Sequence, residues 1–133
     1  MDELFHLAEE AAKNAYAPYS RFRVGAALRA EDGTIYTGCN VENRSFGLTI
    51  CAERSAVVQG VSQGKRLFTA LAIATPDSKT PVGPCGACRQ VLSEFMAPDA
   101  PVRFAGSGPE RIDTTIGELY PYDSLHELAA GKI

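Results

Sequence analysis

The sequence has no tryptophan, only two histidines and two methionines, and no basic cluster longer than the Lys65-Arg66 pair among its 133 residues. Thirteen Lys and Arg against sixteen Asp and Glu leave a formal charge of −3, so the chain lacks the basic face with which a duplex nucleic-acid binder neutralises phosphates. No stretch approaches the roughly 18 apolar residues of a membrane span. The opening, with Asp2 and Glu3 followed by an amphipathic pattern, has neither the basic start nor the apolar centre of a signal peptide. Internal repeats, low-complexity tracts and linkers are also missing, which predicts one domain over residues 1–133. At 45% hydrophobic and 22% charged, such a chain buries roughly two-thirds of its unfolded surface and needs no disulfides to fold. A small-molecule substrate is the better expectation, with neither nucleic acid nor membrane as partner.

Apolar residues recur at Leu4, Leu7, Ala8, Ala11, Ala12 and Ala15, the three-and-four spacing of a helix running to Tyr16 and ended by Pro18. Phe22 to Ala30 and Thr34 to Cys39 read as two strands joined at Asp32-Gly33, a pair of residues that tolerates the positive φ of a hairpin turn. Asn40 to Thr49 is polar and reads as a loop, and Ile50 to Gln59 as a helix ending near Gly60. The run Thr69 to Thr75 suits a strand buried on both faces. After a loop with three prolines, Gly86 to Phe95 reads as a helix, Pro101 to Ala105 as a strand, Arg111 to Asp113 as a weaker one, and Asp123 to Ala130 as a last helix. This order predicts a mixed sheet with helices covering its faces, a layered α/β domain.

The four cysteines are an even count that would suit two disulfides in a secreted protein. Without a signal peptide the expected compartment is a reducing cytoplasm, where clustered cysteines mean metal or catalysis. Cys85 and Cys88 form a Cys-x-x-Cys pair at one helix start, and Cys51 stands at another, 34 residues earlier. Helix N-termini favour thiolate, and thiolates bind zinc. Three protein ligands are the count of a catalytic zinc that keeps its fourth position for water. Two alternatives stay open: a redox pair, which leaves Cys51 without a role, and a structural zinc, which needs a fourth ligand from Cys39, His6 or His126. Cys39 closes an apolar strand and is expected to be a buried, inert thiol. Glu53, two residues beyond Cys51, favours hydrolysis, because a carboxylate beside a zinc-activated water can take its proton and pass it to a leaving group. Taken alone, Glu53 could simply complement the helix dipole.

Together these residues closely resemble the cytidine deaminase family in its small homotetrameric branch. A non-ligating Glu with a downstream Pro-Cys-x-x-Cys is the pattern shared by zinc deaminases. Here the first ligand stands in Cys51-Ala52-Glu53. Tyr19–Leu28, Gly38–Asn43, Gly47–Glu53, Pro84–Leu92 and Ile116–Leu119 match family blocks in family order, over roughly residues 1 to 121. The resemblance implies a three-layer cytidine-deaminase-like fold with a mixed sheet of about five strands. It implies hydrolytic conversion of cytidine and 2′-deoxycytidine to the uridines and ammonia, as in pyrimidine salvage, by a cytoplasmic homotetramer. It assigns Zn²⁺ to Cys51, Cys85 and Cys88, and to Glu53 the proton transfers from water to the ring nitrogen and the departing amine. Asn40 and Glu42 match the ribose clamp, Phe22 a residue packed near the nucleoside, and the backbone of Ala52 a contact to the base carbonyl. A same-fold deaminase of another aminated heterocycle, such as a nucleoside antibiotic, is the nearest rival.

Two positions carry their own expectations. Three thiolates around Zn²⁺ leave net negative charge, and the Arg54 guanidinium, next to Glu53, can withdraw charge from them and restore acidity at the water. Its alternative role is a surface salt bridge of little worth. At the C-terminal end the family carries a Phe that reaches a neighbouring subunit's base. This chain reads Leu119-Tyr120-Pro121-Tyr122-Asp123 without it, and Tyr122 is the candidate stacking residue or, alternatively, a surface cap.

Overall fold

Leu4, Ala8 and Ala12 repeat every four residues, and they form the fully buried face of the first helix, α1 (Asp2–Ala12), in the computed structural model, which describes residues 1–125. The helix stops short of the Tyr16 expected from the pattern. The Tyr16 N–H instead donates to the Asn40 carbonyl at 3.0 Å, and the Tyr16 carbonyl accepts from the Glu42 N–H at 2.8 Å. A distant partner has taken the backbone groups that another helical turn would need.

Strands β1 (Gly25–Ala30) and β2 (Ile35–Cys39) form the predicted hairpin. Gly33 takes φ +90° in its turn, and the Asp32 carboxylate accepts from the Thr34 N–H at 3.0 Å. The first strand begins three residues later than expected, because the N–H groups of Arg23 and Val24 go to side chains. Helix α2 (Ala52–Ser62) starts after Cys51 and runs through Gly60. Gly60 is no helix stop: a Cβ there would lie 2.6 Å from the Phe68 ring, so the glycine admits an aromatic side chain. A short 3-10 turn (Phe46–Leu48) lies within the expected loop.

Strand β3 (Phe68–Ala74) is central, as its apolar run predicts. Helix α3 (Gly86–Phe95) carries the chain across to β4 (Pro101–Ala105), which pairs parallel with β3. A parallel pair needs such a crossover. Strand β5 (Arg111–Thr115) extends past the expected Asp113, and the Thr115 hydroxyl caps a short helix, α4 (Ile116–Leu119), by accepting from the Glu118 N–H. Residues 123–125 form a turn, and the rest of the helix expected over 123–130 lies outside the described residues.

The mixed sheet has the order β2-β1-β3-β4-β5, antiparallel except for β3–β4. Its two faces bury different side chains. Ala27, Ala70, Ala72 and Ala74 meet Leu4 and Ala8 of α1. Ala26, Leu28, Leu71, Ile73 and Val102 pack against Ala56 and Val57 of α2 and Leu92 of α3. Arg29 pairs with Ala70 but Ala30 with Phe68, so Thr69 is the extra residue of a β-bulge, and the bulge turns Phe68 toward the α2 side. The result is the expected three-layer α/β arrangement with five strands. Among the described residues, no helix is long and apolar enough to cross a membrane.

Gly38 of β2 sets how closely α2 lies on the sheet. A Cβ there would sit 2.5 Å from the Ala56 backbone nitrogen and 2.6 Å from the Ala52 carbonyl oxygen, so any side chain displaces the helix that begins at Cys51. Gly38→Ala is expected to destabilise the fold by about 1–3 kcal/mol, the usual range for overpacking. Urea denaturation checks this; an unchanged midpoint and slope would mean that the helix moves without cost.

Candidate active site

Cys51 is the N-cap of α2 and Cys85 the N-cap of α3, both in extended backbone conformation with no side-chain cap hydrogen bond. Cys88 follows on the first turn of α3 and is fully buried. The two helix starts bring the Cys51 and Cys85 sulfurs to 3.9 Å and the Cys85 and Cys88 sulfurs to 3.4 Å, and all three lie within 4.8 Å of one another. Sulfurs about 2.3 Å from one tetrahedral zinc lie roughly 3.8 Å apart, so this donor set fits that ion. Among the described residues no fourth protein ligand joins it: His6 is exposed beside Glu9 and Cys39 is outside the cluster, while the His126 candidate lies outside the described residues. Cys39 is half-buried, less enclosed than expected, and burial pushes its thiol up.

The environment of the sulfurs is polarised. The Cys88 thiol and then the Arg54 guanidinium hold the Cys51 thiol down to about 5, against burial, while Cys88 is driven well above its usual value by its hydrogen bond with the Cys51 sulfur and by burial. Arg54 Nη2 donates to Cys51 Sγ at 3.2 Å and lies 3.5 Å from the Thr49 carbonyl. Among the described residues no carboxylate stands within ion-pair distance of Arg54, which disposes of the surface salt bridge. Glu53 occupies the second helical position of α2 and is only 4% exposed. Burial, and after it the negative charge of Cys51, pushes its carboxyl up to about 7. A carboxyl balanced there can both accept and return a proton near neutrality.

These groups open into a cavity of about 270 Å³, near the lower end of small-molecule sites. Cys51, Ala52, Glu53 and Cys85 line it together with Ser20, Phe22, Val24, Asn40, Glu42 and Thr49, and with Ile73, Thr75, Val82 and Gly83 from the end of β3 and the loop beyond. Asn40 is buried, its Nδ2 donating to the Phe22 carbonyl at 2.8 Å and its Oδ1 accepting from the Val24 N–H at 2.9 Å. Glu42 Oε1 accepts from the Tyr19 and Ser20 N–H groups, and Oε2 from the Ser20 hydroxyl. The Ser20 side chain, first among these causes, holds the Glu42 carboxyl below its usual value.

Cys51, Glu53, Cys85, Phe22, Asn40, Glu42 and Ala52 therefore share one cavity, with Cys88 behind it and Arg54 on the sulfur cluster. Tyr122 does not join them. It is 93% exposed and lines a separate cavity with Ser93, Met96, Ile116 and Tyr120. Two supporting residues escaped the sequence reading. Arg89 donates from Nε to the Pro84 carbonyl at 2.8 Å and from Nη1 to the Leu119 carbonyl at 2.9 Å, tying the approach to Cys85 onto α4. Asp77 accepts from the Arg23 N–H at 2.8 Å, Nε at 3.0 Å and Nη2 at 2.7 Å.

The family model for the cytidine and deoxycytidylate deaminase zinc-binding region matches residues 1–103, a span that contains all three clustered cysteines. The chain belongs to this family. Among its relatives, a cytidine deaminase of Sporosarcina psychrophila is 48% identical over 121 residues, covering 91% of this chain and 88% of that protein. The crystal structure of a cytidine deaminase from Burkholderia pseudomallei aligns with a TM-score of 0.86 at 43% identity, over 90% of this chain and 95% of that one. A blasticidin-S deaminase of Bacillus cereus is 35% identical over 126 residues, covering 90% of this chain and 88% of that protein. Membership in the zinc deaminases, the mixed five-stranded fold and zinc as cofactor thus agree with the expectations from sequence.

In this deaminase chain the Arg23 side chain, followed by its N–H, holds the Asp77 carboxyl down to about 2. A depressed carboxyl stabilises the fold above its unfolded pKa of about 3.9, and that contribution disappears as pH falls through about 2. A carbon-detected NMR titration of Asp77 is expected to give a midpoint near 2, moving toward about 3.9 in Arg23→Met. A wild-type midpoint near 3.9 would contradict the pairing.

Proposed function

We propose that this chain hydrolyses cytidine and 2′-deoxycytidine to uridine and 2′-deoxyuridine with release of ammonia. The observation that carries the reading is the buried Glu53 carboxyl in the cavity beside three convergent cysteine sulfurs, two of them on separate helix starts. Cys51, Cys85 and Cys88 would hold Zn²⁺, which would supply the Lewis acidity that brings the pKa of a water toward about 7. Glu53 accepts a proton from the attacking water and delivers it to the ring nitrogen beside the amino-bearing carbon. It then takes the proton of the hydroxyl now on that carbon and passes it to the departing amine, leaving the carbonyl of the uridine. Its burial sustains both directions of transfer. Arg54 withdraws charge from Cys51 through the Nη2–Sγ contact, so that thiolate donation does not quench the acidity at the water.

Substrate binding falls to the residues around that centre. Asn40 keeps one amide N–H and Glu42 one lone pair on Oε2 for sugar hydroxyls. Phe22 packs against the base, and the Ala52 N–H, which has no intrahelical partner in the first turn of α2, meets the base carbonyl. The second reading, deamination of a nucleoside antibiotic, has the blasticidin-S deaminase relative in its favour. Four free cysteines suit a reducing cytoplasm.

We also infer a homotetramer. Phe46 and Leu48 are 74% and 65% exposed, with Tyr19, Val41 and Ile50 also open beside the cavity residues, and a second copy covering them removes that apolar surface from water. Tyr122, remote from the cavity of its own chain, could then stack on a base only in a neighbouring copy.

An ultraviolet assay of cytidine, deoxycytidine and blasticidin S, with zinc stoichiometry measured on the same samples, tests this reading. Wild type is expected to bind one zinc per chain and to consume the first two. Glu53→Gln keeps zinc but loses on the order of 10²–10⁴ in kcat, and Arg54→Gln loses on the order of 10-fold in activity or zinc affinity. Tyr122→Ala loses activity while Tyr122→Phe retains it. Zinc-loaded wild type that leaves both cytidines intact refutes the assignment, and turnover of blasticidin S alone establishes the second reading.

A further inference from the structure

The segment Tyr19–Val24 lies against the cavity without belonging to a helix or strand. Its backbone is held largely by side chains. Glu42 takes the N–H groups of Tyr19 and Ser20, the Ser20 hydroxyl takes that of Phe22, Asp77 that of Arg23, and Asn40 that of Val24. Arg21, at φ 59°, is the described chain's one non-glycine residue in the left-handed region, a conformation that persists only where surrounding contacts impose it. Of the three outside braces, Asn40 and Glu42 line the cavity, whereas Asp77 does not.

Asp77 stands on a firm base. The Ser78 N–H donates to the Thr75 carbonyl at 3.1 Å, the Ser107 N–H to the Ser78 carbonyl at 2.7 Å, and the Gly108 N–H to the Lys79 carbonyl at 3.2 Å. A Cβ on Gly106 would come within 2.1 Å of the Ser78 carbonyl oxygen, so the two loops are pressed together. The same loop begins at Thr75 and leads to Val82 and Gly83, which line the cavity. From this base Asp77 receives the Arg23 guanidinium as a two-pronged fork in addition to the Arg23 N–H. Two-pronged charge-assisted pairs are the strong and geometrically specific kind.

We propose that Asp77 and Arg23 are positioning residues that set the width of the nucleoside cavity, by locking the Phe22–Val24 segment to the loop that supplies Thr75, Val82 and Gly83. The assignment of a nucleoside rests on the function proposed above; the lock itself rests on the contacts. It acts on substrate binding and leaves Glu53 and the cysteines in place. Releasing it lowers affinity for substrate and transition state alike, which raises KM and spares kcat.

The test joins kinetics to amide exchange on the zinc-loaded protein. Asp77→Ala is expected to keep its zinc, to raise the KM for cytidine about tenfold with kcat within about twofold, and to lose protection at the Arg23 and Val24 amides. Asp77→Asn, which keeps an acceptor for the Arg23 N–H, gives a smaller rise and retains protection at Arg23; it carries the test if the alanine variant does not fold. An unchanged KM, or a fall in kcat that tracks loss of zinc, overturns the proposal. If wild type consumes no cytidine, the deaminase reading fails, and amide exchange alone decides the lock: unchanged protection in Asp77→Ala refutes it.

Discussion

Everything at the centre of this molecule depends on two helices starting at the same place. The N-caps of α2 and α3 are both cysteines, and the α2 layer lies close enough to β2 for Gly38 to face its backbone without a Cβ between them. That approach delivers Cys51 to Cys85, places Glu53 on the first turn under the same cover, and leaves Arg54 facing the sulfurs. Helix starts suit the task because their free N–H groups and positive dipole ends favour thiolate. A single geometric fact therefore brings together the candidate metal donors, the buried carboxyl of Glu53 and part of the electrostatic field.

Around this centre the protein uses polar side chains where other sites use regular backbone pairing. The segment from Tyr19 to Val24, exposed or half-buried along its length, has no strand partner for its N–H groups. Glu42, Asn40 and Asp77 satisfy them from three different stretches of chain. The shape of the cavity is thus fixed by hydrogen bonds between elements, and its chemistry by the helix starts beneath.

Much of this was legible in the sequence, because local signals carried it. Asp32-Gly33 marked the hairpin, the apolar run from Thr69 to Thr75 marked the central strand, and the loop with three prolines preceded the helix at Gly86. The spacing of Cys51, Cys85 and Cys88 with Glu53 pointed to a candidate metal site, and the three sulfurs do converge. What stayed hidden was long-range. The end of α1 is set by the pairing of Tyr16 with the segment Asn40–Glu42, the passage of α2 through Gly60 by a ring from β3, and the role of Asp77 by an arginine 54 residues earlier. None of these leaves a periodic trace. Arg89 lay inside a block already noted, but only the folded chain shows that its guanidinium reaches both Pro84 and Leu119.

Asn40 and Glu42 each have two employers: the wall of the cavity leans on the same atoms that face whatever enters it. This coupling constrains how the pocket can diversify. A substitution at either position alters the shape of the container together with its grip on the contents, so ligand preference cannot drift there by small independent steps. Thr75, Val82 and Gly83 line the same space without bracing the Tyr19–Val24 segment. Of these, Val82 is exposed whereas Thr75 is buried, so a lineage exploring new ligands on this scaffold has its freest variable at Val82.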